Sequence, residues 1–147
     1  MERVDFHVLS GGEPRERLKY ACRVVEKAYL GDQRVLVWLD TPDELAEFDE
    51  LLWNFADRSF VPHELLATEP DWDEAPVWLG GTRPTQSDCD VLVNLAVSVP
   101  AAAERARRVI EIIDADADRR RLGRERFRAY RARGIEPATH TIGGAAP

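Results

Sequence analysis

Apolar residues recur along this chain in two ways: at steps of about three or four residues in some stretches, and nearly without interruption in short runs elsewhere. The run Val4-Asp5-Phe6-His7-Val8-Leu9 reads as a strand and is broken by Ser10-Gly11-Gly12. Leu18, Ala21, Cys22, Val25, Ala28 and Tyr29 then fall on one face of a helix that opens at Pro14 and stops at Gly31. Arg34 to Leu39 is almost wholly apolar, as an interior strand covered on both faces should be. Thr41 and Glu44 have capping-box spacing and Pro42 suits a first helical position, so a second helix follows, with Leu45, Phe48, Leu52 and Phe55 as its buried stripe.

Ser59 to Leu66 reads as a loop or short strand interrupted by Pro62, and Ala67 to Ala75 as an acidic surface excursion. Val77 to Leu79 and Asp90 to Leu95 are two more strands, separated by a loop that includes residues 80–84. Pro100 starts a short alanine-rich helix reaching to about Arg108, and Val109 to Ile113 is a fifth strand. The last long helix runs from Asp118 to Arg133 behind the acids Asp114, Asp116 and Asp118, whose sign and order suit the helix dipole. Strands alternating with helices predict a three-layer α/β/α fold around a mostly parallel sheet of about five strands, Rossmann-like in topology. The expected organisation is one domain over residues 1–135 and a loose tail over 136–147.

Charge changes this picture at one place. The 15 residues from Arg119 to Arg133 hold eight arginines and one acid, Glu125, a segment charge of +7. The whole chain is −7, so the remainder carries −14. An acidic body argues against bulk affinity for nucleic acid and leaves the last helix as a local anion site. The 44% hydrophobic and 32% charged composition is that of a soluble protein, with no apolar run long enough for a membrane span. The acid-bearing N-terminus lacks the character of a secretory signal. Cys22 and Cys89 lack metal-type spacing, and Cys22 lies on an apolar helix face, so a reduced cytoplasmic setting is expected.

Enzyme chemistry finds little to work with. Ser10-Gly11-Gly12 follows a strand and precedes a helix but lacks the G-x-G-x-x-G spacing, no P-loop occurs, and Glu13 would repel phosphate. His7, His63 and His140 fall in unrelated contexts, and no nucleophile elbow is present. No catalytic residue, metal site or cofactor is expected. On a helical projection Arg120, Arg124, Arg128 and Arg131 form one stripe bordered by Phe127, while Leu122, Ala129 and Tyr130 face inward. Arg126 falls among the inward residues, so it should snorkel or pair with a carboxylate at the core's edge. Stacked guanidiniums without interleaved acids repel one another, which favours a bound anion over a solvated helix back. Trp53 stands on the polar side of its helix, and Phe60-Val61-Pro62-His63 is an apolar loop; a tryptophan so placed is either covered by a loop or a contact residue.

Two of these stretches carry a resemblance. Phe48-Asp49-Glu50-Leu51-Leu52-Trp53, continuing through Ser59-Phe60-Val61-Pro62-His63-Glu64-Leu65, and Arg124-Glu125-Arg126-Phe127-Arg128-Ala129-Tyr130-Arg131 resemble blocks of the chi subunits of bacterial DNA polymerase III holoenzyme. The resemblance extends over nearly the whole chain. It implies a non-catalytic adaptor at the replication fork in the bacterial cytoplasm, meeting DNA only indirectly. Its implied partners are the psi subunit of the clamp loader and the C-terminal tail of single-stranded DNA-binding protein, with a repair helicase as a candidate competitor of psi. The tail is acidic and ends in an apolar Pro-Phe with a free carboxylate.

By matching motif positions, the resemblance makes Arg124 the principal carboxylate partner, with Arg120 and Arg128 supplying positive field beside Arg131 of the same stripe. Trp53, Phe127 and Ile113 would form the apolar wall, and Phe60, Val61 and Pro62 the psi side. Phenylalanine stands at 127 where the family commonly has tyrosine, and the acidic run Glu69 to Glu74 departs from its pattern. Two other readings stay open from the residues: direct binding of single-stranded nucleic acid by the arginines and aromatics, and a nucleotide-dependent enzyme on a Rossmann-like sheet.

Overall fold

A computed structural model of the chain describes residues 1–81 and 84–143. The expectations for Thr82 and Arg83 in the loop, and for 144–147 in the tail, lie outside the described residues. Seven strands form one sheet in the order β3-β4-β2-β5-β6-β1-β7, and every neighbouring pair is parallel. In chain order they are β1 (Arg3–Leu9), β2 (Val35–Trp38), β3 (His63–Leu65), β4 (Val77–Gly80), β5 (Cys89–Asn94), β6 (Ala106–Ile113) and β7 (Ala138–Ile142). The helices are α1 (Pro14–Leu30), α2 (Pro42–Asn54) and α3 (Ala117–Ala132).

Side chains alternate across the sheet, so its two faces gather two cores. On one face Val35, Val37, Leu79, Val91, Val93, Ile110 and Ile112 pack beneath α1 and α2, which contribute Ala21, Cys22, Val25, Phe48 and Leu52. On the other, Phe6, Leu36, Leu92, Val109 and Ile113 meet Tyr130 and Phe127 of α3 together with Ala102 and Ala103. Cys22 is fully buried, and burial pushes its thiol up to about 12, as a small core side chain requires.

The helix ends follow the sequence closely. Thr41 accepts a hydrogen bond from the Glu44 amide at 3.1 Å, and its hydroxyl donates to the Glu44 carboxylate. Gly31 closes α1 with its amide on the Lys27 and Ala28 carbonyls.

Three boundaries differ from expectation. Residues 138–142, expected in a loose tail, are the edge strand β7, paired with β1 from Asp5↔Ala138 to Leu9↔Ile142. The alanine-rich helix is only a 3-10 turn over Ala101–Arg105, and β6 starts at Ala106. Five strands become seven with the two edge strands, the three-residue β3 and the exposed β7. An edge strand buries little and so shows a weak apolar pattern, and no residue of β7 is buried.

Candidate functional site

The front of α3 is set by its acids. Asp116 is the N-cap and accepts from the Arg119 amide at 2.9 Å. Asp114 is almost fully buried and takes the Arg119 guanidinium through two bonds of 2.8 Å each. Burial alone would raise the Asp114 carboxyl. The hydrogen bonds from Arg119 and the Asp116 amide, with the positive field of Arg119 and Arg17, outweigh burial and hold it below its ordinary value. The same front closes the first loop: the Ala115 amide donates to the Gly11 carbonyl at 2.8 Å and Arg119 to that of Gly12 at 3.3 Å. The turn that would cradle a pyrophosphate in a dinucleotide fold is thus bonded to the start of α3.

Along α3 the arginines divide by what each touches. Arg126 is buried and donates to Glu111 at 2.9 Å, and Glu111 also accepts from Tyr130 at 2.6 Å and Asn94 at 2.9 Å. Glu111 carries no motif, and its place inside an apolar strand run was the only signal for this network. Arg120 donates to the Asp114 carbonyl at 3.0 Å. Arg121 pairs with Glu125 at 3.5 Å, Arg131 with Glu136 at 3.1 Å and Arg133 with Glu104 at 2.9 Å. Among the described residues, Arg124 and Arg128 make no ion pair or side-chain hydrogen bond, and both are exposed. They stand one turn apart.

Beside them the apolar residues of α3's side of the sheet come to the surface. Phe127 is half-buried, its ring 5.3 Å from that of Phe6, and Phe6 meets Tyr130 edge-on at 6.0 Å. Gly123 lets α3 lie close on the end of β6. A β-carbon there would stand 3.0 Å from Ile113 Cγ2. By register Thr139 and Thr141 of β7 share the face of Phe6 and Val8, the face on which α3 lies. Arg120, Arg124, Phe127, Arg128 and Ile113 are therefore brought together, and Arg131 adjoins them, tied to Glu136.

Trp53 is not among them. It stands on α2, which packs on the other face of the sheet, so it cannot wall a site on α3. Its ring lies 5.4 Å from Phe60 and 4.1 Å from His63. Trp53 and Phe60 remain 42% and 65% exposed, and Leu65 is exposed nearby in the sequence. His63 is buried, bonding the Val61 carbonyl at 2.7 Å and Asp49 at 2.8 Å, and so fixes the loop. Val61, expected at a surface beside Phe60 and Pro62, is fully buried in the α1–α2 core. It anchors the loop instead of lining its outside.

The histidines are also not all unrelated. The β1–β7 register sets His7 opposite His140, their rings 5.5 Å apart. Among the described residues no group of acids, histidines and cysteines has metal-site geometry, and no helix is long and apolar enough to cross a membrane.

Known proteins agree with the family suggested by the two sequence blocks. The family described as DNA polymerase III chi subunit, HolC, matches residues 1–138. The chain is 36% identical over 144 residues to the DNA polymerase III subunit chi of Pseudomonas aeruginosa, covering 97% of this chain and 98% of that one. It is 27% identical over 146 residues to the subunit chi of Escherichia coli, covering 96% and 99%. To that of Haemophilus influenzae it is 25% identical over 141 residues, covering 94% and 96%. Matched from end to end in this way, the chain belongs to the family of DNA polymerase III chi subunits.

Proposed function

We propose that this chain is a non-catalytic adaptor of the replicative polymerase, working in the bacterial cytoplasm with two protein partners on separate faces. The exposed face of α3 beside Phe127 takes the acidic C-terminal tail of single-stranded DNA-binding protein. Arg124 and Arg128 receive carboxylates, Arg120 and Arg131 add positive field, and Phe127 with the edge of Ile113 receives the terminal aromatic ring. The Trp53–Phe60–Pro62 patch takes the psi subunit of the clamp loader.

The observation that carries the first assignment is the contrast along α3. Six arginines are anchored by protein acceptors, while Arg124 and Arg128 stand exposed and without ion pairs among the described residues, beside half-buried Phe127. Guanidiniums suit carboxylates in both charge and shape. A short peptide with a terminal carboxylate next to an aromatic ring matches that pairing of charge and apolar surface.

Fluorescence anisotropy with a labelled tail peptide tests this. Arg124→Ala should weaken binding by about 10- to 100-fold, the equivalent of one charge-assisted contact worth about 1.5–3 kcal/mol. Added sodium chloride should weaken it further but leave an apolar remainder. Equal affinity for Arg124→Ala and the parent would refute the assignment. Equal affinity for the peptide and a single-stranded oligonucleotide at physiological salt would favour direct nucleic-acid binding instead.

A further inference from the structure

The sheet face that carries α1 and α2 is not covered to its edge. α1 packs on β2, β5 and β6, while β1 and β7 extend beyond it toward the edge of the sheet. Short of Leu9 and Ile142, that uncovered face carries polar side chains where a covered strand would be apolar: Asp5 and His7 from β1, His140 from β7. Asp5 is fully buried by its own partners, Arg108 at 2.8 Å, His140 at 2.8 Å and Arg3 at 2.9 Å. Between this polar strip and the flank of α1 lies a cavity of about 340 Å³.

Its charged lining comes from both sides. Arg23 and Lys27, one turn apart on α1, face Arg108 of β6 and His7 of β1 across it, with Tyr20 between. Neither Arg23 nor Lys27 has an ion-pair partner among the described residues, although the chain as a whole is −7. The Asp5 carboxylate, paired with Arg108, is already offset by Arg3 and Arg108. The adjoining hollow, toward the carboxyl ends of the strands, holds Glu13 and Glu16 beside Arg17 and shares Tyr20 and Arg23. Among the described residues no acid lines the cavity itself. The last carbonyls of α1 are not turned on it either, since the Gly31 and Gln33 amides take those of Lys27 and Ala28.

His7 is set up to donate. Its Nδ1 lies 2.6 Å from the Tyr20 hydroxyl, and its Nε2 has no partner among the described residues. Burial, the field of His140 and the charges of Arg108 and Lys27 outweigh the opposing field of Asp5 and hold the ring below its ordinary value. An anion at Nε2 would hold the single proton there, with Nδ1 accepting from Tyr20. Val24, Ala28 and Ile110 supply an apolar wall.

We propose that this cavity binds the phosphate group of a small organic phosphate, with Arg23, Lys27 and Arg108 meeting the charge and His7 Nε2 donating a hydrogen bond. A dianionic phosphate with several acceptor oxygens matches three cations around one hollow better than a single carboxylate does. The volume leaves room for the group that bears it. The site lies on the sheet face opposite α3 and at the amino ends of the strands, away from the crevice where nucleotides bind doubly wound sheets.

Isothermal titration calorimetry of the full chain with inorganic pyrophosphate, with citrate as the carboxylate comparison and sodium chloride at matched ionic strength, tests the site. The His7 ring protons, followed by NMR, report where binding occurs. The expected result is saturable pyrophosphate binding that shifts the His7 resonances and is weakened at least 10-fold in Arg23→Gln/Lys27→Gln, two exposed residues without an ion pair or side-chain hydrogen bond among the described residues. The same variant should unfold at the parent's urea midpoint and bind the tail peptide as the parent does. Heats matching those of sodium chloride, binding by citrate but not pyrophosphate, or equal pyrophosphate affinity in the double variant would each overturn the proposal.

Discussion

Arg124 and Arg126 stand two positions apart on α3, one exposed and without an ion pair among the described residues, the other buried against Glu111. The projection of the helix placed both correctly, because periodicity decides which side of a helix a residue faces. It could not name Glu111, since a carboxylate inside an apolar strand has no spacing signature. Removing Arg126 strands a buried charge that still holds Tyr130 and Asn94. Arg126→Ala should therefore lower unfolding stability by about 3–5 kcal/mol in urea titration. Arg126→Met with Glu111→Leu should recover part of that loss, because the second change removes the orphaned charge. A double variant no more stable than Arg126→Ala would contradict this account.

Two buried aspartates add a pH dependence. Burial opposes ionisation of Asp5, but hydrogen bonds from His140, Arg108 and Arg3 outweigh it and leave the carboxyl below its ordinary value, as at Asp114. The unfolded chain keeps the ordinary value, so it binds protons first as pH falls. The stability these groups contribute is complete above about pH 4 and is lost as pH drops through their lower folded values. Urea midpoints should therefore fall steeply below about pH 4, and Asp5→Asn should show a shallower acid limb from a lower starting stability.

Among the elements, helices and interior strands were the legible ones. α1 and α2 announced themselves through apolar period, proline at N1 and cap residues, and β2 through an uninterrupted apolar run. β7 did not: its sequence ATHTI is polar at the positions that face out, and its pairing with β1 depends on contacts far along the chain. Cutting the chain before Ala138 separates the two readings. A loose tail would leave stability unchanged. Loss of β7 exposes the β1 edge and takes His140 from Asp5, and it should cost more than about 2 kcal/mol in urea titration.

At the scale of the molecule, the two blocks that suggested the family proved to lie in different layers. Trp53 and Phe127 look alike in sequence, one an aromatic on the polar side of its helix and the other bordering an arginine stripe. The sheet between them decides that they serve different surfaces. No helical projection carries that information, because it depends on which face each crossover takes. The separation makes the adaptor reading sharper: two partners can be held at once without sharing a residue.

The most direct measurement is therefore a crossed binding experiment, in which the parent, Arg124→Ala/Arg128→Ala and Trp53→Ala/Phe60→Ala are each titrated with the tail peptide and with psi. The account predicts that the arginine variant loses the peptide by 10-fold or more and keeps psi, while the aromatic variant loses psi and keeps the peptide. Loss of peptide affinity in the aromatic variant as large as in the arginine variant would contradict it.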